Sequence, residues 1–305
     1  MRNRYLPWIA LALVYVLWGS TYAAIRVAVA TIPPYLMAGT RYVIAGLLLL
    51  ALQWALAKEK PAAPTWPQLR RIAVTGILLL TVGNGLLCSA ETRVESGTAA
   101  LLGASVPIWM ILFDSLRERK APGWSAIAGI VLGSAGIALL VGKSSGGSSV
   151  LFAALIVLAS IAWALGSIYA RGEEHHPLSA PLEMTIGGFL MVLVGAATGE
   201  FARLHPSAVT AQSLWGMLWL ITAGAMVGYS AYTYAVRTLP TATVATYAYV
   251  NPVVAVLLGA LVLRESVTWN VAAGGAAILA SVALILLSGR RKGPVAAELA
   301  QEAVV

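Results

Sequence analysis

Apolar residues run along this chain in long stretches separated by short joints rich in proline, glycine and charge. A helix across a hydrocarbon core of roughly 30 Å takes about 20 mostly apolar residues. Ten stretches meet that length: 6–29, 34–57, 71–90, 96–116, 124–142, 150–170, 178–200, 213–236, 242–263 and 268–288. Helices are expected because a backbone in lipid must bond within its own segment or in a closed barrel, and these runs are too long for barrel strands. The clearest joints are Ile32-Pro33-Pro34, 61–67, Arg117 to Lys120, the Gly/Ser run 144–149 and 173–177. The pattern predicts an all-α membrane protein of ten transmembrane helices, with loops too small to hold a soluble catalytic domain.

Composition narrows the class further. Hydrophobic residues make up 59% of the 305 and charged ones 10%, against about 45–50% and 25% in a soluble globular chain. Disorder, which needs high charge and low hydrophobicity, is excluded. A single cysteine, Cys88, rules out an intramolecular disulfide and a cysteine-based zinc site. His175, His176 and His205 have no metal-ligand spacing, so neither metal nor cofactor is expected. The net charge of +8 fits cytoplasmic loops of a membrane protein better than a nucleic-acid partner. The first run follows Arg2 and Arg4 and stays apolar from Leu6 to Ala24, longer than a signal peptide's core of about 7–15 residues, so it is expected to remain as a span.

Lysine and arginine favour cytoplasmic loops. With the N-terminus inside, the inside set is Arg2, Arg4, Lys58, Lys60, Arg70, Arg71, Arg117, Arg119, Lys120, Arg171, Arg237, Arg290, Arg291 and Lys292, and the outside set is Arg26, Arg93, Lys143, Arg203 and Arg264. Both termini are therefore expected in the cytoplasm.

The chain also repeats itself. Pro107 and Pro252, Trp124 and Trp269, and Gly129 and Gly274 each stand 145 positions apart, while Gly19-Ser20-Thr21-Tyr22 matches Gly166-Ser167-Ile168-Tyr169 at 147. Each repeat holds five runs, an odd number, so the second half is expected upside down in the bilayer. Two inverted halves can rock about a shared midplane site and expose it to either side in turn. The expected boundaries are 8–142 and 150–288, with a cytoplasmic tail over 289–305.

The strings LVYVLWGSTYAAIR, MAGTRYVIAGLLLL, VGNGLL, SGTAALLGASVPIW and ATYAYVNPVVAVLLGALVLRESVTW resemble the EamA family of the drug/metabolite transporter superfamily, in particular its bacterial amino-acid and metabolite exporters. The resemblance spans residues 8–288 as two repeats. It implies a ten-helix basket in the inner membrane, a central cavity and export of small metabolites, often amino acids. A monomer in the lipid bilayer is the expected unit. Drugs remain open as cargo; nucleotide sugars would need a cluster of phosphate-binding cations, and only Arg41 is partly placed for one.

Polar and aromatic groups at membrane depth are costly when they face lipid. On the ninth run Thr243, Thr246, Tyr247, Val250 and Asn251 share a helical stripe. Pro252 removes a backbone donor beside it. The stripe either lines a cavity or packs through interhelical hydrogen bonds. The fourth run carries Ser105 and Trp109 on one face beside Pro107, and the third holds Asn84 between two glycines with Cys88 and Glu91 further along. The sixth run sets Ser160, Trp163 and Ser167 on one side, the eighth Tyr229 and Tyr232, and the first Trp18 and Tyr22. Rings and hydroxyls together suit a zwitterion with an apolar body, cation–π contact adding about 0.5–2 kcal/mol. The substrate-binding candidates are thus Trp18, Tyr22, Asn84, Ser105, Trp109, Trp163, Ser167, Tyr229, Tyr232, Thr243, Tyr247 and Asn251. Trp8, Trp54, Trp66, Trp124, Trp215 and Trp269, near run ends, are expected as interfacial anchors.

Two charges stand inside runs. Arg41 and Glu183 lie within two turns of a run's end, so snorkelling to the headgroups is the expectation, with a gating or helix-orienting contact as the alternative. Pro107 and Pro252 are the other gating candidates. Proton-driven members of the superfamily carry a buried glutamate on the first helix of the repeat, and neither the first nor the sixth run has a mid-depth acid. Facilitated efflux is therefore expected over proton antiport. An enzyme is not expected: the sequence has no G-x-S-x-G elbow and no H-E-x-x-H helix. Gly129, Gly133 and Gly136 on the fifth run, and Gly274 and Gly275 on the tenth, form small-residue stripes that suit close helix packing within one chain or between two.

Overall fold

The computed structural model describes residues 5–57, 61–119, 121–141, 147–170, 176–239, 241–244 and 246–289. Expectations for Arg2, Arg4, Lys58, Lys60, Lys120, Lys143, Arg171, His175 and all of the tail but Gly289 lie outside the described residues. The principal helical segments are α1 (Leu6–Ala28), α2 (Pro34–Leu56), α3 (Trp66–Ala90), α4 (Ser96–Glu118), α5 (Trp124–Val141), α6 (Gly147–Ala170), α7 (Ser179–Ala197), α8 (Ala211–Trp219, Leu220–Val227 and Gly228–Thr238), α9 (Tyr247–Val262) and α10 (Trp269–Gly289). Among the described residues seven of these, α1 to α4 and α6 to α8, are long and apolar enough to cross a membrane. Three shorter apolar helices, over 124–140, 250–262 and 269–285, account for α5, α9 and α10.

Local chemistry explains several boundaries. Prolines open α1, α2 and α3, where a missing N–H costs nothing. At the start of α3 the Thr65 N–H donates to Gln68 Oε1 at 2.8 Å, closing a capping box. The two symmetry-related prolines act differently. Pro107 follows a break at Ala104-Ser105 that splits α4 into Ser96–Gly103 and Val106–Glu118, whereas Pro252 sits inside a continuous α9. The ninth run, expected as one helix from 242, is divided earlier. A short turn, Thr241–Val244, precedes α9, and the Thr246 hydroxyl donates to the Thr243 carbonyl at 2.5 Å. A side chain satisfying its own backbone in this way favours a turn over a helix. The six tryptophans expected as anchors are all exposed near helix ends.

Glycines set the closest packing. A Cβ at Gly39 would lie 2.7 Å from the Gly188 carbonyl, and one at Gly188 would lie 2.8 Å from the Gly39 carbonyl, so α2 and α7 touch backbone to backbone. Gly136 and Gly274 join α5 to α10 the same way, at 2.8 and 3.1 Å, and the Ser281 hydroxyl donates to the Gly129 carbonyl at 2.6 Å. The small-residue stripes on α5 and α10 are thus spent on each other within one chain. These contacts are reciprocal. Gly39 meets Val192 as Gly188 meets Val43, and Gly46 meets Thr185 as Gly195 meets Leu36, with 149 positions exchanged each time. Gly136 meets Gly274 as Gly129 meets Ser281, with 145 exchanged.

Two carboxylates tie the halves together at the end of the bundle where α2 and α4 begin. Glu200, just past α7, accepts from the Leu36 N–H at 2.9 Å in the first turn of α2. Glu265, just past α9, accepts from Ser96 N–H at 2.8 Å, Ser96 Oγ at 2.9 Å and Gly97 N–H at 3.0 Å. Each negative charge fills the orphan donors of a helix N-terminus in the other half, where the helix dipole favours it. Glu265→Ala leaves those donors of α4 without partners. It is expected to cost about 2 kcal/mol, read as a lower melting temperature of the detergent-solubilised protein; an unchanged melt would show that the cap is dispensable.

At the same end Glu91 follows α3. Its backbone carbonyl accepts from the Arg26 guanidinium, yet both carboxyl oxygens are buried without a hydrogen-bond partner. Burial, reinforced by Glu265, holds the carboxyl well above its ordinary range, and Arg26 and Arg41 only partly oppose this. The folded chain therefore keeps a proton that the unfolded chain has released, so this group's stabilising contribution is lost as pH rises above the ordinary carboxylate value. Glu91→Gln should flatten the fall in melting temperature between acidic and neutral pH. A slope equal to that of the unaltered protein would rule this group out as its source.

Candidate functional site: a cavity walled by both repeats

Eight of the principal helices surround one central cavity of about 280 Å³; α5 and α10 contribute nothing to its lining. Two unusual segments form part of the wall. Ile77–Asn84 in α3 and Leu220–Val227 in α8 are both eight-residue π-helical stretches, 143 positions apart. Such wide turns are rare and concentrate at functional sites. They carry Gly83 and Asn84 in the first half and Gly224 and Ala225 in the second to the cavity surface.

One wall is aromatic. Trp18 stacks on Tyr232 with centroids 5.3 Å apart at 23°, and meets the edge of Tyr247 at 5.5 Å and 87°. Its indole N–H donates to the Gly224 carbonyl at 3.1 Å. Below it Tyr15 and Thr246 share a hydroxyl hydrogen bond. Tyr22 lies against Gly103, where a Cβ would come within 3.0 Å of its hydroxyl. Trp163 of α6 stands across from these groups beside Gly83.

The other wall is polar. Arg41 is 4% exposed. Its Nη2 donates to Asn84 Oδ1 at 2.6 Å and to the Tyr42 hydroxyl at 3.2 Å, and its guanidinium carbon lies 4.4 Å from the centre of the Tyr42 ring. Cys88 Sγ donates to the same Asn84 oxygen at 3.3 Å. Arg41 Nε and Asn251 Oδ1 are buried without hydrogen-bond partners.

Of the twelve sequence candidates, Trp18, Tyr22, Asn84, Trp163, Tyr229, Tyr247 and Asn251 line the cavity, as do Arg41, Pro107 and Pro252. The other five are not among the lining residues. Ser105 is fully buried and accepts from Trp109 Nε1 at 3.3 Å, and Trp109 packs beside Met110 and Ala164. Ser167 is buried with its hydroxyl unpartnered, and Tyr232 backs Trp18. Thr243 offers its carbonyl to Thr246. Snorkelling is corrected for both charged residues: Arg41 and Glu183 are only 4% and 6% exposed. Arg41 turns inward because Tyr42 and Asn84 receive its guanidinium. Glu183 is enclosed because α7 presses it against Gly76, where a Cβ would meet its carbonyl at 2.8 Å. Glu183 lies off the cavity. Sequence reasoning missed Tyr42, whose place beside Arg41 was the available signal, and both π segments.

Comparison with known proteins places the chain. The EamA-like transporter family profile matches twice, over residues 6–142 and 150–287. The inner membrane transporter YedA of Escherichia coli (strain K12) is 38% identical over 258 residues, covering 82% of this chain and 80% of YedA. A probable terminal-alkyne amino-acid exporter of Streptantibioticus cattleyicolor is 31% identical, covering 90% and 92%. A crystal structure 19% identical in sequence superposes with a TM-score of 0.54 over 95% of this chain and all of that one, a likeness of fold. A twice-matched profile, a cavity walled by both matched halves and helices apolar enough to span lipid agree: the chain is a multi-pass inner membrane transporter and belongs to the EamA family of the drug/metabolite transporter superfamily.

Proposed function

We propose that this protein exports amino acids, large neutral or aromatic ones first, and related small metabolites across the bacterial inner membrane by alternating access. The observation that carries the proposal is the cavity itself, enclosed between corresponding helices of the two repeats. The reciprocal contacts of α2 with α7 and of α5 with α10 support two inverted halves moving about a common axis. Ten spans, with both termini in the cytoplasm, complete the topology. The chain acts as a monomer, and its use of the α5 and α10 glycine stripes within itself supports this.

Trp18, Tyr22, Asn84, Trp163, Tyr229, Tyr247 and Asn251 contact the cargo, while Ser105, Trp109, Ser167, Tyr232 and Thr243 hold them in place. Pro107, at the break in α4, and Pro252, within the continuous α9, act in gating, and Glu183 orients α7. The name of the Streptantibioticus relative supports an amino-acid cargo. Among the described lining residues none is an aspartate, glutamate or histidine, which supports facilitated efflux over proton coupling. The test is uptake of radiolabelled amino acids into liposomes containing the purified chain, with and without an imposed pH gradient. Saturable uptake indifferent to the gradient supports the reading. Strong acceleration by the gradient overturns the uncoupled mechanism, and no amino-acid uptake by folded protein overturns the cargo.

A further inference from the structure

Arg41 is the sole formal charge among the described residues that line the cavity. A buried cation is costly unless an anion and hydrogen bonds compensate it. The contacts of Arg41 are all with neutral groups: the Asn84 amide oxygen, the Tyr42 hydroxyl and the Tyr42 ring. Glu91 is close enough to feel its field, but neither carboxyl oxygen bonds to it, and burial keeps that carboxyl protonated above its ordinary range. The guanidinium thus lacks a counter-ion, and its Nε–H lacks a partner. On the second half, Asn251 Oδ1 is likewise unpartnered and 9% exposed. One unused cationic donor and one unused acceptor therefore line the same aromatic cavity.

We infer that Arg41 selects cargo by charge: it holds the cargo's carboxylate, while the Asn251 amide oxygen receives an ammonium when the cargo has one. The inference rests on the cavity being the transport site proposed above, and it names the class of cargo that site accepts. An arginine presents parallel N–H donors that match a carboxylate. A cation without a carboxylate would meet an unpaired like charge in a low-dielectric space. Carboxylate-bearing compounds with an apolar body are accepted, zwitterions and monoanions alike, and simple amines are rejected. At about 280 Å³ the central space lies just below the usual range of small-molecule sites, roughly 300–1,000 Å³, which suits a compact solute.

The test compares binding of phenylalanine, 3-phenylpropionate, phenylalanine methyl ester and phenethylamine to the purified protein by isothermal titration calorimetry. Phenylalanine and 3-phenylpropionate are expected to bind at least tenfold more tightly than the ester and the amine. In Arg41→Gln that preference should vanish, with phenethylamine binding no more weakly than before, and Arg41→Lys should restore part of it. Asn251→Leu should bring phenylalanine down to the level of 3-phenylpropionate. Equal or tighter binding of phenethylamine by the unaltered protein overturns the inference and needs no variant to fold. So does unchanged discrimination in a folded Arg41→Gln protein. Should none of the four bind, the amino-acid reading falls by itself, and benzoate against benzylamine decides the charge rule: benzoate alone binding upholds it, any other result overturns it.

Discussion

Leucine in place of Gly188 is expected to leave almost no folded protein. The α2–α7 contact brings two backbones together, and a Cβ at this position would sit 2.8 Å from both the Gly39 carbonyl and the Val43 nitrogen, and 2.9 Å from Tyr42 Cβ. None of these is the yielding tip of a long side chain, so the helices themselves must separate. Overpacking costs typically about 1–3 kcal/mol and occasionally more; with main chain on the far side of the contact, the upper end applies. Moving α2 also moves Arg41 and Tyr42, so the polar wall of the cavity would be lost along with stability. Yield of monodisperse protein on size-exclusion chromatography is the measurement. Gly188→Ala should fall between leucine and the unaltered chain. Gly123→Leu, where an added Cβ meets nothing within 4 Å, should behave normally. Normal yield from Gly188→Leu would mean that α2 and α7 do not pack as described.

Trp18→Ala carries the second large effect, about 3 kcal/mol, the low end for truncating a core tryptophan because this ring is half-buried at the cavity wall. The indole is stacked on Tyr232, edge-on to Tyr247 and hydrogen-bonded to the Gly224 carbonyl. Its N–H edge also fills the space left by Gly228, where a Cβ would come within 2.5 Å of Nε1. Alanine removes all of this from the joint between α1, α8 and α9. Phenylalanine keeps a ring for Tyr232 but has no N–H for Gly224, so Trp18→Phe should cost about 1 kcal/mol. Thermal melts of the three proteins separate packing from hydrogen bonding. A Trp18→Ala protein that melts with the unaltered one would sink the claim that this cluster braces the cavity.

The helices were legible in the sequence because lipid leaves the backbone little choice, and a run of apolar residues bounded by Pro33, Pro34 or Pro67 has little else to become. The repeat was legible because proline, tryptophan and glycine keep their spacing where packing depends on them, as Gly129 and Gly274 do against α10 and α5. The direction of Arg41 was not legible. Distance from the helix end argues for the headgroups, and what overrides it is a partner on α3, Asn84, brought near by folding alone. Trp109 and Trp163 looked alike, both deep tryptophans near small residues. One is turned toward Ser105 and Met110, the other lines the cavity, and only the neighbours that folding brings to each ring separate the two. Pro107 and Pro252 share a place in the repeat yet only one interrupts its helix, so position alone did not fix the outcome.

The paired wide turns in α3 and α8 give the cavity a mechanical property that its side chains do not. A π-helical stretch is an α-helix that has swallowed extra chain. Passing hydrogen bonds from one carbonyl to the next moves that slack along the helix without melting it, and each residue of slack is worth roughly 100° of rotation for the turns it passes. Asn84 closes one stretch and Gly224 lies within the other. The capped or buried ends of these helices can therefore stay anchored while the faces turned to the cavity swivel. With the slack stored at matching places in both halves, the walls have the means to turn as a pair of screws rather than swing as doors.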